Sequence, residues 1–255
     1  MKIEEMVNKI FLETKNGFEY VKQIPDKSID MILCDLPYGT TACKWDTIIP
    51  FEPLWEQYKR IIKDNSAIVL TASQPFTSAL VMSNIKMFKY EWIWGKSKCG
   101  SPLAAKYRPM AKHENILVFG KGVLKYNPEM LEGEPYKRDF TPAKLNNHKF
   151  GIKGAKTDNK GTRFPDTVLF FQQKWRRQDQ LHPTQKPVAL FEYLIKTYTN
   201  EGDIILDNCI GSGTTAIACK RLNRNFIGME IYQNYIDISY KRLLEIKQGE
   251  GLCSK

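Results

Sequence analysis

The sequence IILDNCIGSGTT at Ile204–Thr215 decides the fold of this chain. Its three aliphatic residues predict a short strand that is buried on both faces and ends at Asp207. A glycine-rich turn at Gly211 and Gly213 follows, and a helix is predicted to begin near Thr214. Such a turn lets a ligand approach the backbone closely, and the first turn of the helix offers unpaired N–H groups. The stretch therefore predicts a strand, a ligand-binding turn and a helix.

The next apolar run, residues 225–229, predicts a second strand, and Glu230 follows it directly. This acid lies about twenty residues beyond the glycines, where nucleotide-binding units place a carboxylate on ribose hydroxyls. The third glycine of the dinucleotide fingerprint is missing, because Ala216 occupies its position. The sequence therefore favours a nucleoside cofactor smaller than NAD or FAD, and it counts against a nicotinamide-dependent oxidoreductase.

Short apolar runs recur along the whole chain and predict strands that are buried on both faces. These runs are residues 29–34, 67–70, 92–94, 116–119, 168–171, 204–206 and 226–229. Helical patterns with a single apolar stripe lie between several of them, at 54–63 and 188–198. The alternation predicts an α/β fold with a doubly wound, mostly parallel, Rossmann-like sheet.

Residues 121–181 interrupt this alternation, because they are rich in Lys, Asn, Gly and Pro and hold one clear strand candidate near their end. We expect a single domain over 1–255, in which this segment is inserted between a part at about 1–120 and a part at about 182–255. Basic and aromatic residues are interleaved in the segment, which fits either a nucleic-acid surface or a solvated loop. The candidate DNA-binding residues are Arg163, Lys174, Arg176 and Arg177.

The net charge of +10 predicts attraction to polyanions such as nucleic acids, because basic side chains that neutralise phosphates release counterions. No run of the chain approaches the roughly 18 apolar residues of a membrane span, so we expect a cytoplasmic protein that does not bind membranes. The six cysteines form no CxxC pair and no cluster at zinc spacing. We therefore expect reduced thiols and no metal site.

A second candidate site follows the strand at residues 29–34, where the sequence is Asp35-Leu36-Pro37-Tyr38. Asp35 and the carbonyl of Leu36 can accept hydrogen bonds, Pro37 fixes the turn, and Tyr38 can stack on a planar group. These properties suit chemistry on the amino group of an extruded base. Taken singly, the same residues are also compatible with a turn carboxylate and a core aromatic.

The two motifs, in this order, resemble those of the β-class DNA amino-methyltransferases, in which an Asp-Pro-Pro-Tyr-type motif precedes the cofactor motif. The segment HPTQKP at 182–187 is similar to a family signature, and His113 with Glu114 is similar to a His-Glu pair common in the family. Leu36 replaces the first proline, and Asn208-Cys209 replaces the commoner Pro-Phe. The resemblance covers about 28–239 except for the insert, which occupies the place of the target-recognition region.

The resemblance implies S-adenosylmethionine as cofactor and direct methyl transfer at the Asp35-Leu36-Pro37-Tyr38 motif. It implies that Glu230 contacts the ribose and that Lys186 pairs with the methionine carboxylate. The full set of implied cofactor contacts is Asp207, Cys209, Gly211, Ser212, Gly213, Thr214, Glu230, Thr184, Gln185 and Lys186. Because Asp35 leads its motif, where the family's cytosine-N4 enzymes usually carry Ser, the resemblance favours the N6 amino group of adenine.

The partners implied by the resemblance are double-stranded DNA, a second copy of the chain and a cognate restriction endonuclease. Other functions stay open on the sequence alone. These are methylation of cytosine N4, methylation of RNA or of a protein side chain, and a catalytically silent module that binds nucleic acid with the same fold.

Overall fold

The computed structural model describes residues 1–13, 19–41, 43, 46–100, 102–140, 155–172 and 185–246. The strands in these residues are β1 (Lys9–Leu12), β2 (Ile29–Cys34), β3 (Ile62–Ala72), β4 (Phe88–Gly100), β5 (Ala111–Phe119), β6 (Leu131–Glu132), β7 (Tyr136–Phe140), β8 (Ala155–Asn159), β9 (Thr162–Arg163), β10 (Val168–Phe170), β11 (Ile204–Asp207) and β12 (Asn225–Glu230). The helices are α1 (Ile3–Met6), α2 (Phe51–Ile61), α3 (Phe76–Ser83), α4 (Val188–Tyr198), α5 (Thr214–Arg221) and α6 (Gln233–Glu245). None of these helices is long and apolar enough to cross a membrane.

The chain divides into two compact units, residues 1–127 with 167–255 and residues 128–166. The first unit contains an eight-stranded sheet in the order β1-β12-β11-β2-β3-β5-β4-β10. Every neighbouring pair is parallel except those of β5, which runs antiparallel to β3 and to β4. This sheet confirms the predicted doubly wound, mostly parallel α/β fold.

Two hydrophobic cores cover the two faces of the sheet. Successive residues of a strand point to opposite faces, and in β2 this places Ile32 and Cys34 in the core with α2 and α3. Met31 and Leu33 of the same strand pack in the core with α4, α5 and α6. All of β2 is buried, which explains why the strand is a continuous apolar run in the sequence.

The strand order brings the carboxyl ends of β2 and β11 together. These two strands are parallel neighbours, with Ile205 opposite Met31 and Leu206 opposite Ile32. The helices that follow them, α2 and α5, lie on opposite faces of the sheet. In open α/β sheets ligands bind in the crevice at such a switch point, so the topology selects this edge as the candidate site.

The predicted end of the first helix was wrong, and the apolar runs at 67–70, 92–94 and 116–119 mark only parts of the longer strands β3, β4 and β5. The helical pattern at 54–63 extends the helix through Ile62 and Lys63, but α2 ends at Ile61 and both residues begin β3. Ile62 pairs with Ile29 in the sheet and is buried. An apolar residue four positions after Tyr58 fits a helix stripe and a strand equally well, so periodicity could not separate the two.

The second unit, residues 128–166, consists of two antiparallel strand pairs, β6 with β9 and β7 with β8. Its strands are short and largely exposed, so they lack the apolar pattern that marks strands in the rest of the chain. Arg163 donates hydrogen bonds to Asn159 Oδ1 at 2.6 Å and to the carbonyl oxygen of Thr162 at 2.9 Å. Its guanidinium carbon also lies 4.6 Å from the centre of the Tyr136 ring.

Candidate active site

A cavity of about 1050 Å³ opens in the first unit at the carboxyl ends of β2 and β11. Both predicted motifs line it. The predicted site residues among its lining are Asp35, Leu36, Pro37, Tyr38, Gln185, Lys186, Asp207, Cys209, Gly211, Ser212, Thr214 and Glu230. Gly213 is not among the lining residues, and Thr184 lies outside the described residues, as do the candidate DNA-binding residues Lys174, Arg176 and Arg177.

Asp35 is held at the end of β2 through both of its carboxylate oxygens. Oδ1 accepts hydrogen bonds from the Tyr38 hydroxyl at 2.9 Å and from the hydroxyl of Thr71, a buried residue of the neighbouring strand β3. Oδ2 accepts a hydrogen bond from Lys186 Nζ at 2.6 Å. The carboxylate therefore has a fixed orientation at the cavity wall.

Lys186 belongs to a chain of alternating charges. Its Nζ lies 3.4 Å from Glu114 Oε2 as well as 2.6 Å from Asp35, and Glu114 Oε1 accepts a hydrogen bond from Lys96 Nζ at 2.7 Å. Burial alone would lower the pKa of Lys186, but Asp35 and Glu114 raise it above its ordinary value. Lys186 is therefore a buried ammonium that compensates two carboxylates, and its pairing with a cofactor carboxylate stays a prediction.

The Tyr38 ring is fixed beside this carboxylate. It stacks on Phe76, the first residue of α3, with ring centres 5.4 Å apart and planes 25° apart. Burial raises the pKa of Tyr38 well above its ordinary value, and the negative charges of Asp35 and Glu114 raise it further. The phenol is therefore neutral and acts as a hydrogen-bond donor.

Asp207, at the end of β11, has a different environment. It is 2% exposed and accepts hydrogen bonds from the backbone N–H of Cys209 at 3.0 Å and from the Thr215 hydroxyl. Among the described residues no cation pairs with it. Burial raises the pKa of Asp207 to about 7, because it outweighs the hydrogen bonds that lower it.

Glu230 joins the end of β12 to the glycine-rich turn. Its Oε2 accepts the N–H of Gly211 at 3.0 Å, and its Oε1 accepts the N–H groups of Ile231 at 2.8 Å and Tyr232 at 3.1 Å. Burial raises the pKa of Glu230, although these hydrogen bonds oppose the rise. The carboxylate therefore orders the turn from one side.

Helix α6 orders the same turn from the other side. Gly211 and Gly213 have φ values of 52° and 83°, which favour glycine. A Cβ atom on Gly213 would lie 2.8 Å from the Cβ of Ser239, whose hydroxyl donates to the Gly211 carbonyl at 2.9 Å. Gly213 is also the N-cap of α5 and gives no side-chain cap, so the first N–H groups of this helix are available to a ligand.

The family model described as DNA methylase, of the N6/N4 type, matches residues 29–241. The chain belongs to this DNA methylase family. Its relatives include the type II methyltransferase M.HpaI of Haemophilus parainfluenzae, which is 30% identical over 240 residues. The match covers 89% of this chain and 72% of M.HpaI. The DNA adenine methyltransferase YhdJ of Escherichia coli is 29% identical over 240 residues, covering 88% and 79%.

The fold of the methylase is shared with solved structures. The crystal structure of the M1.HpyAVI–SAM complex superimposes with a TM-score of 0.59 at 25% identity, covering 92% of the methylase and 100% of that chain. The family predicted from the two motifs is thereby confirmed. The roles of the individual site residues stay predictions, which the geometry makes specific.

The sequence indicated Glu114 only in part and Thr71 not at all, although Glu114 pairs with Lys186 and Thr71 donates to Asp35. His113 and Glu114 were noted as a pair, but His113 is exposed and Glu114 lines the cavity, because successive residues of β5 point in opposite directions. Thr71 carried no sequence signal, since it is one hydroxyl in an otherwise apolar run. Its position on β3, beside β2, brings it to Asp35.

The sequence did not indicate two further carboxylates of the cavity, Asp46 and Glu13. Asp46 accepts the N–H groups of Gly39 at 2.8 Å, Thr40 at 2.9 Å and Thr41 at 2.6 Å. Burial alone would raise the pKa of Asp46, but its hydrogen bonds lower it. Glu13 accepts the N–H groups of residues 19 and 20 at 3.0 and 2.9 Å. Both acids fold loops at the cavity wall, and single acids in loops have no recognisable spacing.

Proposed function

We propose that this methylase transfers a methyl group from S-adenosylmethionine to the N6 amino group of adenine in DNA. The observation that carries the proposal is the meeting of the Asp35 motif and the glycine-rich turn in one cavity of about 1050 Å³. Pockets for one small ligand commonly measure about 300–1,000 Å³, so this cavity has room for a cofactor and a base. The relative named as a DNA adenine methyltransferase supports the choice of adenine.

The cofactor part of the cavity suits a nucleoside that also carries an amino acid. The open N–H groups at the start of α5 and the exposed backbone of Gly211, which lines the cavity, suit the nucleoside. Glu230 would accept hydrogen bonds from ribose hydroxyls, and Asp207 would pair with the ammonium of the methionine part. Lys186 and Gln185 lie at the same wall. When bound, S-adenosylmethionine supplies an electrophilic methyl group on a sulfonium.

The hydrogen bonds of Asp35 indicate which of its oxygens receives the target amino group. An ionised carboxylate oxygen accepts about two hydrogen bonds. Oδ1 already faces the hydroxyls of Tyr38 and Thr71, whereas Oδ2 faces the ammonium of Lys186. We therefore assign the amino group to Oδ2, with the Leu36 carbonyl as second acceptor. These two acceptors orient the nitrogen lone pair and increase its electron density.

The target base must leave the DNA helix to reach this cavity. Unstacking and unpairing a base costs a few kcal/mol, and contact with the Tyr38 ring offsets part of that cost. Because Phe76 packs against this ring, Tyr38 offers a surface that is already ordered before the base arrives. The residues of the chain thus bind and orient the base, and no covalent enzyme intermediate is required.

The proposal also covers target recognition, partner molecules and location in the cell. Residues 121–181 would form the target-recognition region, and Arg163, Lys174, Arg176 and Arg177 would contact double-stranded DNA. A homodimer, a cognate restriction endonuclease and a cytoplasmic location are further predictions of the same proposal. The recognition region, the homodimer and the endonuclease follow from the family resemblance, the DNA contacts from the basic residues of the insert, and the location from the lack of a long apolar run.

The test is to incubate the purified chain with S-adenosylmethionine and unmethylated duplex DNA, digest the DNA to nucleosides and identify methylated products by mass spectrometry. We expect N6-methyldeoxyadenosine. N4-methyldeoxycytidine in its place would change the target base and keep the enzyme class. Methylation of RNA or protein without any methylated deoxynucleoside would overturn the proposal.

A further inference from the structure

The end of the β4–β5 hairpin contains a dense group of cations. We name residues 96–112, KSKCGSPLAAKYRPMAK, the β4–β5 arm, and no acidic residue occurs in it. Its basic residues are Lys96, Lys98, Lys106, Arg108 and Lys112. In a chain with 28 acids among 255 residues, a stretch of this length without one concentrates positive charge at a single place on the surface.

The base of the arm forms part of the cavity wall. Lys96, Lys98 and Gly100 of β4 and Ala111 of β5 all line the cavity, and Gly100 pairs with Ala111 in the sheet. The arm and the cavity belong to the same compact unit. The arm therefore adjoins the cavity.

Most cations of the arm have no acidic partner. Lys96 is paired with Glu114, but the other four basic residues are exposed, and no ion pair joins them to an acid in the part of the chain that the structure describes. In the unit at 128–166, by contrast, Lys160 lies 3.0 Å from Asp158 and Lys156 lies 3.5 Å from Asp139. Four cations of the arm are thus not neutralised by any acid among the described residues.

Apolar side chains lie among these cations. Leu103 is 96% exposed, Tyr107 89% and Met110 45%. Isolated exposed apolar residues are common on proteins, but these three lie within eight positions of one another, and Lys106 and Arg108 directly flank Tyr107. Exposed apolar and aromatic groups flanked by cations suit contact with bases between charged phosphates.

We propose that the β4–β5 arm binds duplex DNA at the mouth of the cavity. Lys98, Lys106, Arg108 and Lys112 contact phosphates on either side of the target nucleotide, and Leu103 and Tyr107 pack against the bases that the extruded base leaves behind. The inference rests on the proposed function, because it assigns a surface to that same substrate. Charge complementarity and continuity with the cavity select DNA over an uncharged partner.

The cations and the apolar residues of the arm have different expected effects. Each phosphate contact releases counterions, so it steepens the dependence of DNA affinity on salt by about one unit of logarithmic slope. The apolar residues act after binding, because they stabilise the DNA from which a base has been extruded. Their removal should slow methylation of a paired target more than it weakens DNA binding.

The first experiment measures DNA affinity of the full chain by fluorescence anisotropy over a range of salt concentrations, with S-adenosylhomocysteine present. We expect the double variant Lys106→Gln/Arg108→Gln to lower the salt slope by about two. The matched control is Lys27→Gln/Lys63→Gln, which removes the same charge from cations outside the arm, the cavity and residues 121–181 that already have acidic partners, Asp64 and Asp30, at 2.8 Å. We expect a smaller change in slope for it. An unchanged slope in the arm variant, or an equal fall in both variants, would overturn the proposal.

The second experiment compares methylation of a fully paired duplex with that of a duplex in which the target base is mispaired. We expect Leu103→Ala and Tyr107→Ala each to lower the methylation rate on the paired duplex about tenfold. On the mispaired duplex their rates should return to that of the wild type, since a mispaired base is extruded at lower cost. Wild-type rates for both variants on both substrates would count against the packing of Leu103 and Tyr107 on bases. If the arm variant lowers the salt slope as expected but the wild-type chain methylates no DNA, the proposed function fails and DNA binding by the arm is still supported.

Discussion

Asp35 and Asp207 lie at the ends of neighbouring strands of one sheet, yet the partners of their carboxyl groups differ. Asp35 pairs with the Lys186 ammonium at 2.6 Å. Asp207 is 2% exposed and is held by a hydroxyl and a backbone amide, and no cation among the described residues pairs with it. The Asp35 carboxyl group thus has a counter-ion from the chain itself, whereas Asp207 is a carboxyl group whose ionisation a cationic ligand would favour.

This difference separates two tasks within one cavity. The proposed acceptor for an amino group must be oriented before the base arrives, and Lys186 with the hydroxyls of Tyr38 and Thr71 fixes the Asp35 carboxyl group. A binding group for a cationic ligand benefits from having no competing cation. Each variant below changes either the surroundings of Asp35 or those of Asp207 and the glycine-rich turn. The measurements test whether methyl transfer and cofactor binding are affected separately.

The largest expected effect is that of Asp35→Asn on methyl transfer. The amide keeps the shape of the side chain but loses the charge and one acceptor, so we expect the single-turnover rate to fall by about 10²–10³-fold or more. Cofactor affinity, measured by calorimetry, should stay near that of the wild type. The control is Asp203→Asn, which breaks the Lys125–Asp203 ion pair of 2.7 Å outside the cavity. An active Asp35→Asn enzyme would contradict the proposed mechanism.

The second prediction concerns the glycine-rich turn and Gly213→Ala. The new Cβ would lie 2.8 Å from Ser239 Cβ at a φ of 83°, which displaces the glycine-rich turn, so we expect cofactor affinity to fall about tenfold or more. Gly202→Ala is a matched control, because Gly202 has a φ of 81° but no atom within 4 Å of the added Cβ. Both variants should lose about 1–2 kcal/mol of unfolding free energy. Equal cofactor affinities in the two variants would contradict the role of the close approach.

The third prediction follows from the pKa of Asp207, which burial raises to about 7. Below that pH the carboxyl is protonated and cannot pair with an ammonium, so we expect cofactor affinity to rise about tenfold between pH 5.5 and 7. Asp207→Asn should abolish this rise. Because the pKa is higher in the folded chain than in the unfolded chain, Asp207 should also make the unliganded protein less stable as pH rises from about 4 to about 7. Calorimetric titrations and thermal melts at several pH values check both effects.

The smallest effect is expected for Glu114→Gln, which removes the second counter-ion of Lys186. We expect methyl transfer to fall about three- to tenfold, with cofactor affinity retained. Since Glu114 helps to raise the pKa of Lys186, its loss should shift the alkaline limit of activity to lower pH. Glu91→Gln is the control, because Glu91 accepts a hydrogen bond from Asn115 at 2.8 Å and does not line the cavity. An unshifted pH profile for Glu114→Gln would show that Lys186 does not depend on it.

The sequence by itself determined the sheet and its two motifs. Strand β2 and helix α4 have the bounds that their apolar patterns predict, at 29–34 and 188–198. Burial on both faces of a central strand, or on one face of a helix, leaves a local pattern that can be read directly. The strand-end acids Asp35 and Glu230 follow from the same reasoning, because a carboxyl end of a parallel strand lies at the binding edge.

Only the tertiary structure decided which of these groups meet. Lys186 reaches Asp35 across 151 positions of sequence, and Thr71 reaches it from the neighbouring strand. Tertiary pairing also left four cations of the β4–β5 arm, all except Lys96, without an acidic partner among the described residues, while Lys156 and Lys160 have one. Ion pairs and hydrogen bonds between distant residues have no period in the sequence, because they depend on strand order and on side-chain direction, which the packing of the whole sheet sets.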